Sequence, residues 1–219
     1  MAWDPSWERV FKTRAWGKYP PEELIRFIGR NFYGLPDRSK VRILDAGCGT
    51  GAASWFLARE GFNTYGIDGS PTAIAIAKSR LASENLHVEL VIGDLVALHY
   101  SEGFFNCVVE LAALQHNRHA DIKRIVTDLH RVLVPGGKYF GILVASGSYG
   151  SALGIEVERN TYDAISDGPF EGKGIVHFFE ENELQDLFGL FSEYEYEFSL
   201  RTETKRTMSL KHWIVTATK

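Results

Sequence analysis

Cysteine is scarce. The 219 residues hold two, Cys48 and Cys107, too few for a disulfide framework. Long apolar runs are missing too, and none approaches the ~20 residues needed to cross a bilayer. The opening stretch, MAWDPSWERVFKTRAWGKYPPEE, is charged throughout and lacks the apolar core of a secretory leader. Positive charge is not in excess: the formal net charge is −4. That disfavours a partner held mainly through phosphates, which needs clustered Lys and Arg to displace counterions. There is no internal repeat and no low-complexity tract. What remains is ordinary globular composition, 45% hydrophobic and 24% charged, in a length that suits one domain over residues 1–219. The expectation is a cytoplasmic protein with no membrane partner and no metal site.

The main positive signal is alternation. Short apolar runs at 41–46, 62–67, 88–92, 104–109 and 138–145 read as strands. Between them, 54–59, 72–83 and 121–134 read as helices, the last with Ile122, Ile125, Val126, Leu129, Val132 and Leu133 at helical spacing and Pro135-Gly136-Gly137 as its stop. Strands alternating with helices predict an α/β, doubly wound, mostly parallel sheet covered on both faces. The ends depart from this rhythm. Residues 1–40 carry Trp3, Trp7 and Trp16 and then a predicted helix over 21–32, with Pro21 suited to its start. Residues 146–179 are Gly- and Ser-rich without a period, as expected of a lid. Residues 180–188 read as a helix. Strands at 194–200 and 208–218 flank Arg201–Arg206 and would close the sheet with an antiparallel hairpin.

Asp45-Ala46-Gly47-Cys48-Gly49-Thr50-Gly51-Ala52 falls between a strand and a helix. Glycines there let the backbone turn sharply and approach a ligand. Gly47, Gly49 and Ala52 also fit dinucleotide spacing, so the loop alone leaves an NAD-type oxidoreductase open. Asp45 bears on the choice, because a carboxylate sits badly beside a pyrophosphate. It suits a ligand with an ammonium group and no phosphate, such as S-adenosylmethionine (SAM). Asp68 ends the second strand, where a carboxylate accepts from ribose hydroxyls in such sheets. Asp94 follows the third strand and could accept from an adenine amino group, or be only a turn or N-cap residue.

With these residues in place, ILDAGCGTGAASWFLA, GIDGSPTAIAIAK, VIGDL, FNCVVELAALQH and LHRVLVPGGKY together resemble the successive motifs of class I SAM-dependent methyltransferases of the small-molecule type. The resemblance covers residues 40–145 well and the remainder by pattern only. It implies a Rossmann-like sheet of seven strands with a final reversed hairpin. It also implies SAM contacts at Asp45, Gly47, Cys48, Gly49, Asp68, Gly69, Asp94, Leu95, Glu110 and Leu111. Residues 1–40 would form a helical cover, 41–145 the SAM-binding core, 146–179 a substrate lid and 180–219 the closing helix and hairpin.

The acceptor is approached by elimination. Amino-methylating DNA enzymes resemble one another by an Asn/Asp/Ser-Pro-Pro-aromatic motif after the fourth strand. Here that place holds Glu110-Leu111-Ala112-Ala113, without proline. That lowers the nucleic-acid reading; a small-molecule O- or N-acceptor is the reading preferred, with a protein or nucleic-acid methyltransferase and a SAM-binding module without activity as alternatives. In similar enzymes the loop holding His116 borders the acceptor, so His116 is the candidate base for a hydroxyl proton, with a structural histidine as the alternative. His177 and His212 could also face the pocket. Trp16 is placed near the sulfonium, where an aromatic face adds roughly 0.5–2 kcal/mol. Trp3 and Trp7 are expected only to pack the extra helix on the sheet, and Arg201, Lys205 and Arg206 to form a solvated hairpin.

Overall fold

Side-chain alternation sets the two faces of the sheet. In the computed structural model, which describes residues 3–219, five strands pair in parallel. They are β1 (Arg42–Ala46), β2 (Asn63–Asp68), β3 (Glu89–Ile92), β4 (Phe105–Leu111) and β5 (Leu133–Val144). Later in the chain, β9 (Glu193–Glu203) and β10 (Met208–Thr218) form the closing hairpin, with β10 antiparallel to both β9 and β5. The order is β3-β2-β1-β4-β5-β10-β9, the expected mostly parallel seven-stranded sheet.

Ile43, Cys107, Val109, Phe140 and Ile142 point to one face, where they meet α2 (Glu22–Phe32) and α3 (Ala52–Arg59). Their sequence neighbours Leu44, Val108, Tyr139 and Leu143 point to the other. There α5 (His119–Val132) and α6 (Glu181–Phe188) supply Ile122, Ile125, Leu129, Leu184 and Phe188. Each such side chain contributes about 1.5–3 kcal/mol of burial. α4 (Pro71–Ser83) packs on β2, β3 and α3, and starts where Ser70 accepts from the Ala73 amide with Pro71 in the first turn. A capping box between Glu180 and Glu183 opens α6.

One boundary is corrected, and two segments gain detail. α5 ends at Val132, because Leu133 already pairs with Phe105 and Pro135-Gly136-Gly137 lies within β5. There Gly136, at φ +74°, donates to the Lys219 carbonyl. Residues 146–179 hold a small antiparallel sheet of β6 (Ile155–Glu158), β7 (Thr161–Asp163) and β8 (Val176–His177). A separate core of Ile165, Phe170, Val176 and Phe178 joins it to Val144 and Leu210. The N-terminal stretch contains a helix, α1 (Ser6–Thr13), whose Glu8 accepts from the Ser70 and Thr72 hydroxyls at the start of α4. These bonds hold the Glu8 carboxyl down at about 2. No helix among the described residues is long and apolar enough to cross a membrane.

Candidate active site

Chain order reverses between β1 and β4, and in open α/β sheets such a switch point leaves a crevice at the strands' carboxyl ends. A cavity of about 390 Å³ opens there. The loop after β1 shapes one wall. Gly47 (φ +75°) needs to be glycine, since a Cβ would lie 2.3 Å from the Ala113 Cβ. The amides of Gly47 and Cys48 both donate to the Ile67 carbonyl, tying the loop to β2. Leu95, Leu111 and the buried Cys48 complete this wall.

Three carboxylates line the same end. Asp45 is buried, and its Oδ2 accepts from the amide (2.8 Å) and hydroxyl (2.6 Å) of Ser54. Burial raises its carboxyl to about 6 against the lowering effect of Ser54. Asp68 accepts from the Gly49 amide through Oδ2 and the Ser70 amide through Oδ1, each at 2.8 Å. Burial raises this carboxyl too. Asp94 accepts from the Val96 amide and from the amide of Trp3. The Trp3 indole lies against Gly69, where a Cβ would come within 2.1 Å of the ring.

Glu110 is placed differently from the expectation. It does not line the cavity. Its buried carboxyl turns back under the loop, with Oε1 accepting from the amides of Ala113 and Leu114. Burial, with the negative charge of Asp45 adding, pushes it up to about 8. It braces the wall rather than facing a ligand.

The other end of the cavity is covered by α1, by Trp16 and by Pro169, Phe170 and Lys173. Trp7 stacks edge-on to Trp16 with centroids 5.4 Å apart. Trp3 and Trp7 thus face the cavity instead of only packing a helix on the sheet, because α1 lies over α4 and the glycine loop. Trp16 is half open to solvent, at 39% exposure. His116 is buried on this side with Nδ1 3.0 Å from the Ile175 carbonyl. A carbonyl only accepts, so the proton sits on Nδ1 and Nε2 keeps its lone pair. Burial drives the imidazole down to about 3, with the Lys173 charge adding and the Ile175 bond opposing. The imidazole is therefore neutral at physiological pH.

His212 lines the cavity, but His177 does not. His177 is locked between Thr161 and Glu183. Arg201 reaches the cavity, while Lys205 and Arg206 stay exposed at the hairpin tip. Phe170, from the segment expected to form the lid, lines it too, while Lys173 and Gln115 line it and were not foreseen. The aperiodic 146–179 stretch gave no pattern from which the direction of Lys173 could be read.

Residues 43–137 match the family described as "Methyltransferase domain". That stretch resembles a class I methyltransferase domain. The chain is 40% identical over 97 residues to a magnesium-protoporphyrin O-methyltransferase of Rhodobacter capsulatus, covering 43% of this chain and 42% of that protein. It is 26% identical over 177 residues to a ubiquinone biosynthesis O-methyltransferase of Sinorhizobium medicae, covering 78% and 71%. The chain spans less than half the length of the curated relatives it matches first. In fold it resembles a SAM-dependent methyltransferase from Methanosarcina mazei, with TM-score 0.69, 24% identity and coverage of 85% and 94%. It also resembles the SAM-bound magnesium protoporphyrin IX methyltransferase of Synechocystis, with TM-score 0.62, 15% identity and coverage of 98% and 80%.

SAM is the cofactor that the methyltransferase match implies, and the residues present fit it. The Gly47 cradle admits close backbone approach. The Gly49 amide, which a pyrophosphate would require, already donates to the Asp68 carboxylate. Three carboxylates in one wall suit an ammonium and ribose hydroxyls and repel phosphates.

Proposed function

We propose that the protein transfers the SAM methyl group to an oxygen or nitrogen of a small-molecule acceptor. The observation that carries this reading is the cover. Trp3, Trp7 and Trp16 from the N-terminal segment and Phe170 from the 146–179 segment close over one shared cavity of about 390 Å³, within the size range of small-molecule sites. Relatives named for magnesium-protoporphyrin, ubiquinone biosynthesis and norajmaline methylation support a small acceptor. Two buried free thiols, Cys48 and Cys107, fit a reducing compartment such as the cytoplasm.

In this reading Asp45, Asp68 and Asp94 hold the amino, ribose and adenine groups, with Gly47, Cys48, Gly49, Gly69 and Leu95 as the close wall. Bound SAM supplies a methyl group already activated by its sulfonium, so alignment and exclusion of water do much of the work. Residues 1–40 and 146–179 act as the cover and substrate lid that exclude it. Leu111 and Trp16 flank the reacting end. His116 presents Nε2 to the acceptor's hydroxyl and orients its lone pair. Being buried, the imidazole hands on any proton it takes.

Calorimetry with SAM, S-adenosylhomocysteine and NAD tests the cofactor half. The two sulfur ligands should bind in the micromolar range, about −8 kcal/mol, and NAD should not. Incubation of metabolite extracts with labelled SAM tests the acceptor half. Label appearing only in protein or nucleic acid would reject it.

A further inference from the structure

The cavity's charges are segregated. Its carboxylates Asp45, Asp68 and Asp94 stand at the cofactor end, and each is engaged by the chain's own donors. Asp4, on the covered side, accepts from the Ser6 amide and abuts Gly174. None of these four forms an ion pair with Lys173, nor does any other acid among the described residues.

Among the described residues Lys173 is thus a half-buried cation at the cavity without an ion-pair partner. Its Nζ lies 4.8 Å from the ring centre of Trp16, 5.8 Å from Trp7 and 5.9 Å from Phe170. Ring faces attract an ammonium but do not replace the water removed from it. Burial, with Arg14 adding, lowers it to about 8. Lys173 stands close enough to His116 for its charge to oppose protonation of that imidazole. Arg201 lines the cavity as well, paired with Glu203 at 2.8 Å.

The geometry points to Lys173 as the seat of a carboxylate on the methyl acceptor, so that the substrate class is an acid with an apolar body. The inference rests on the proposed methyl transfer at this site. An ammonium among three aromatic rings suits a weakly hydrated, singly charged carboxylate attached to a flat or apolar frame. A phosphate dianion, by contrast, needs several converging donors that this end does not show.

The test uses the full chain saturated with S-adenosylhomocysteine. Benzoate, 4-hydroxybenzoate and cinnamate are titrated in by calorimetry, each against its neutral amide, with phenyl phosphate as a further arm. At least one carboxylate should bind about tenfold or more tightly than its amide, the scale of one charge-assisted hydrogen bond. Lys173→Met should abolish that preference while S-adenosylhomocysteine still binds. Lys173→Arg should retain it. Melting curves show whether both variants are folded. Carboxylates no better than amides, a preference that survives Lys173→Met, or tighter binding of phenyl phosphate would each overturn the inference. Failure of S-adenosylhomocysteine itself to bind would instead reject the functional reading beneath it.

Discussion

The imidazole of His116 meets the indole of Trp7 edge-on, with ring centroids 4.5 Å apart. Helix α1 thereby presses on the loop that follows β4 and closes the cavity over the candidate acceptor site. It also strips His116 of water, and this sets its titration. With the imidazole lowered to about 3, it stays neutral throughout the range where enzymes are assayed. Activity should therefore show no acidic limb from His116 between about pH 5 and 8. On a hydroxyl acceptor His116→Ala should lower kcat by ~10²-fold or more with SAM affinity nearly unchanged. On an amine the loss should be small. A pH–rate profile of wild type and variant checks both statements, and a histidine limb near pH 6.5 in the wild type would reject this picture.

Stability should carry two opposite pH signatures. For His116 the folded value lies below the ordinary 6.5. The unfolded chain then binds more protons, and stability is lost as pH falls below about 6.5 toward 3. For Glu110 the folded value of about 8 lies above the ordinary 4.5. Its contribution is present below about 4.5 and is lost as pH rises toward 8. Glu110→Gln keeps an acceptor for the Ala113 and Leu114 amides but cannot ionise. The variant should gain on the wild type as pH rises from 5 to 8. Urea denaturation at several pH values gives the comparison, and a constant difference would show that Glu110 does not titrate there.

Gly47 and Ala113 should behave as a coupled pair. Gly47→Ala puts a methyl 2.3 Å from the Ala113 Cβ and forces φ +75° on a residue with a side chain. The expected destabilisation is roughly 1–3 kcal/mol, with loss of SAM binding. Adding Ala113→Gly should relieve the clash but not the backbone strain, restoring part of the stability. Additive effects in the double-mutant cycle would mean that the two do not meet.

Much of the fold was legible because the core alternation is strict. Ile43 and Leu44, or Tyr139 and Phe140, point to opposite faces, and this period needs no tertiary knowledge. The placement of Asp45, Asp68 and Asp94 along one wall was legible for the same reason, since each lies at or just beyond the carboxyl end of a strand. Side chains carried by segments without a period were not. Trp3, Trp7 and Lys173 face the cavity only because Glu8 ties α1 to Ser70 and Thr72, and because Phe170 packs under β8. Those are contacts between parts of the chain far apart in sequence. Glu110 misled because a motif position says which loop a residue belongs to, not which way its carboxyl turns. Two amides, those of Ala113 and Leu114, had the prior claim on it.

Glu8 should act as the latch of the cover. Its oxygens accept from Ser70, Thr72 and Lys12. Glu8→Ala removes a charged acceptor from two hydroxyls, about 1–3 kcal/mol of tethering. Limited proteolysis should then cut faster between α1 and α2, and SAM should bind more weakly. Because the folded carboxyl lies at about 2, below the ordinary 4.5, the tether is present above about pH 4.5 and lost as pH falls toward 2. Cutting rates equal to wild type at neutral pH would remove the latch.

Asp68 is the most exposed assignment, because it must serve two partners at once. In the protein itself both its oxygens are engaged, Oδ2 by the Gly49 amide and Oδ1 by the Ser70 amide. Each oxygen has a second lone pair free to accept from a ribose hydroxyl. Asp68→Asn preserves the volume but turns one acceptor into an NH₂ that faces a backbone N–H. The loop holding Gly49 or the cap of α4 at Ser70 must then give. SAM affinity should fall by roughly 1.5–3 kcal/mol, the range of charge-assisted hydrogen bonds. The melting temperature should drop as well, which a residue at a loop mouth with no partners of its own would not produce. Asp68→Ala should lose at least as much of both. Calorimetry with SAM beside a thermal melt separates the two roles: lower affinity with an unchanged melt would leave only the ribose contact, and a lower melt with unchanged affinity would leave only the brace.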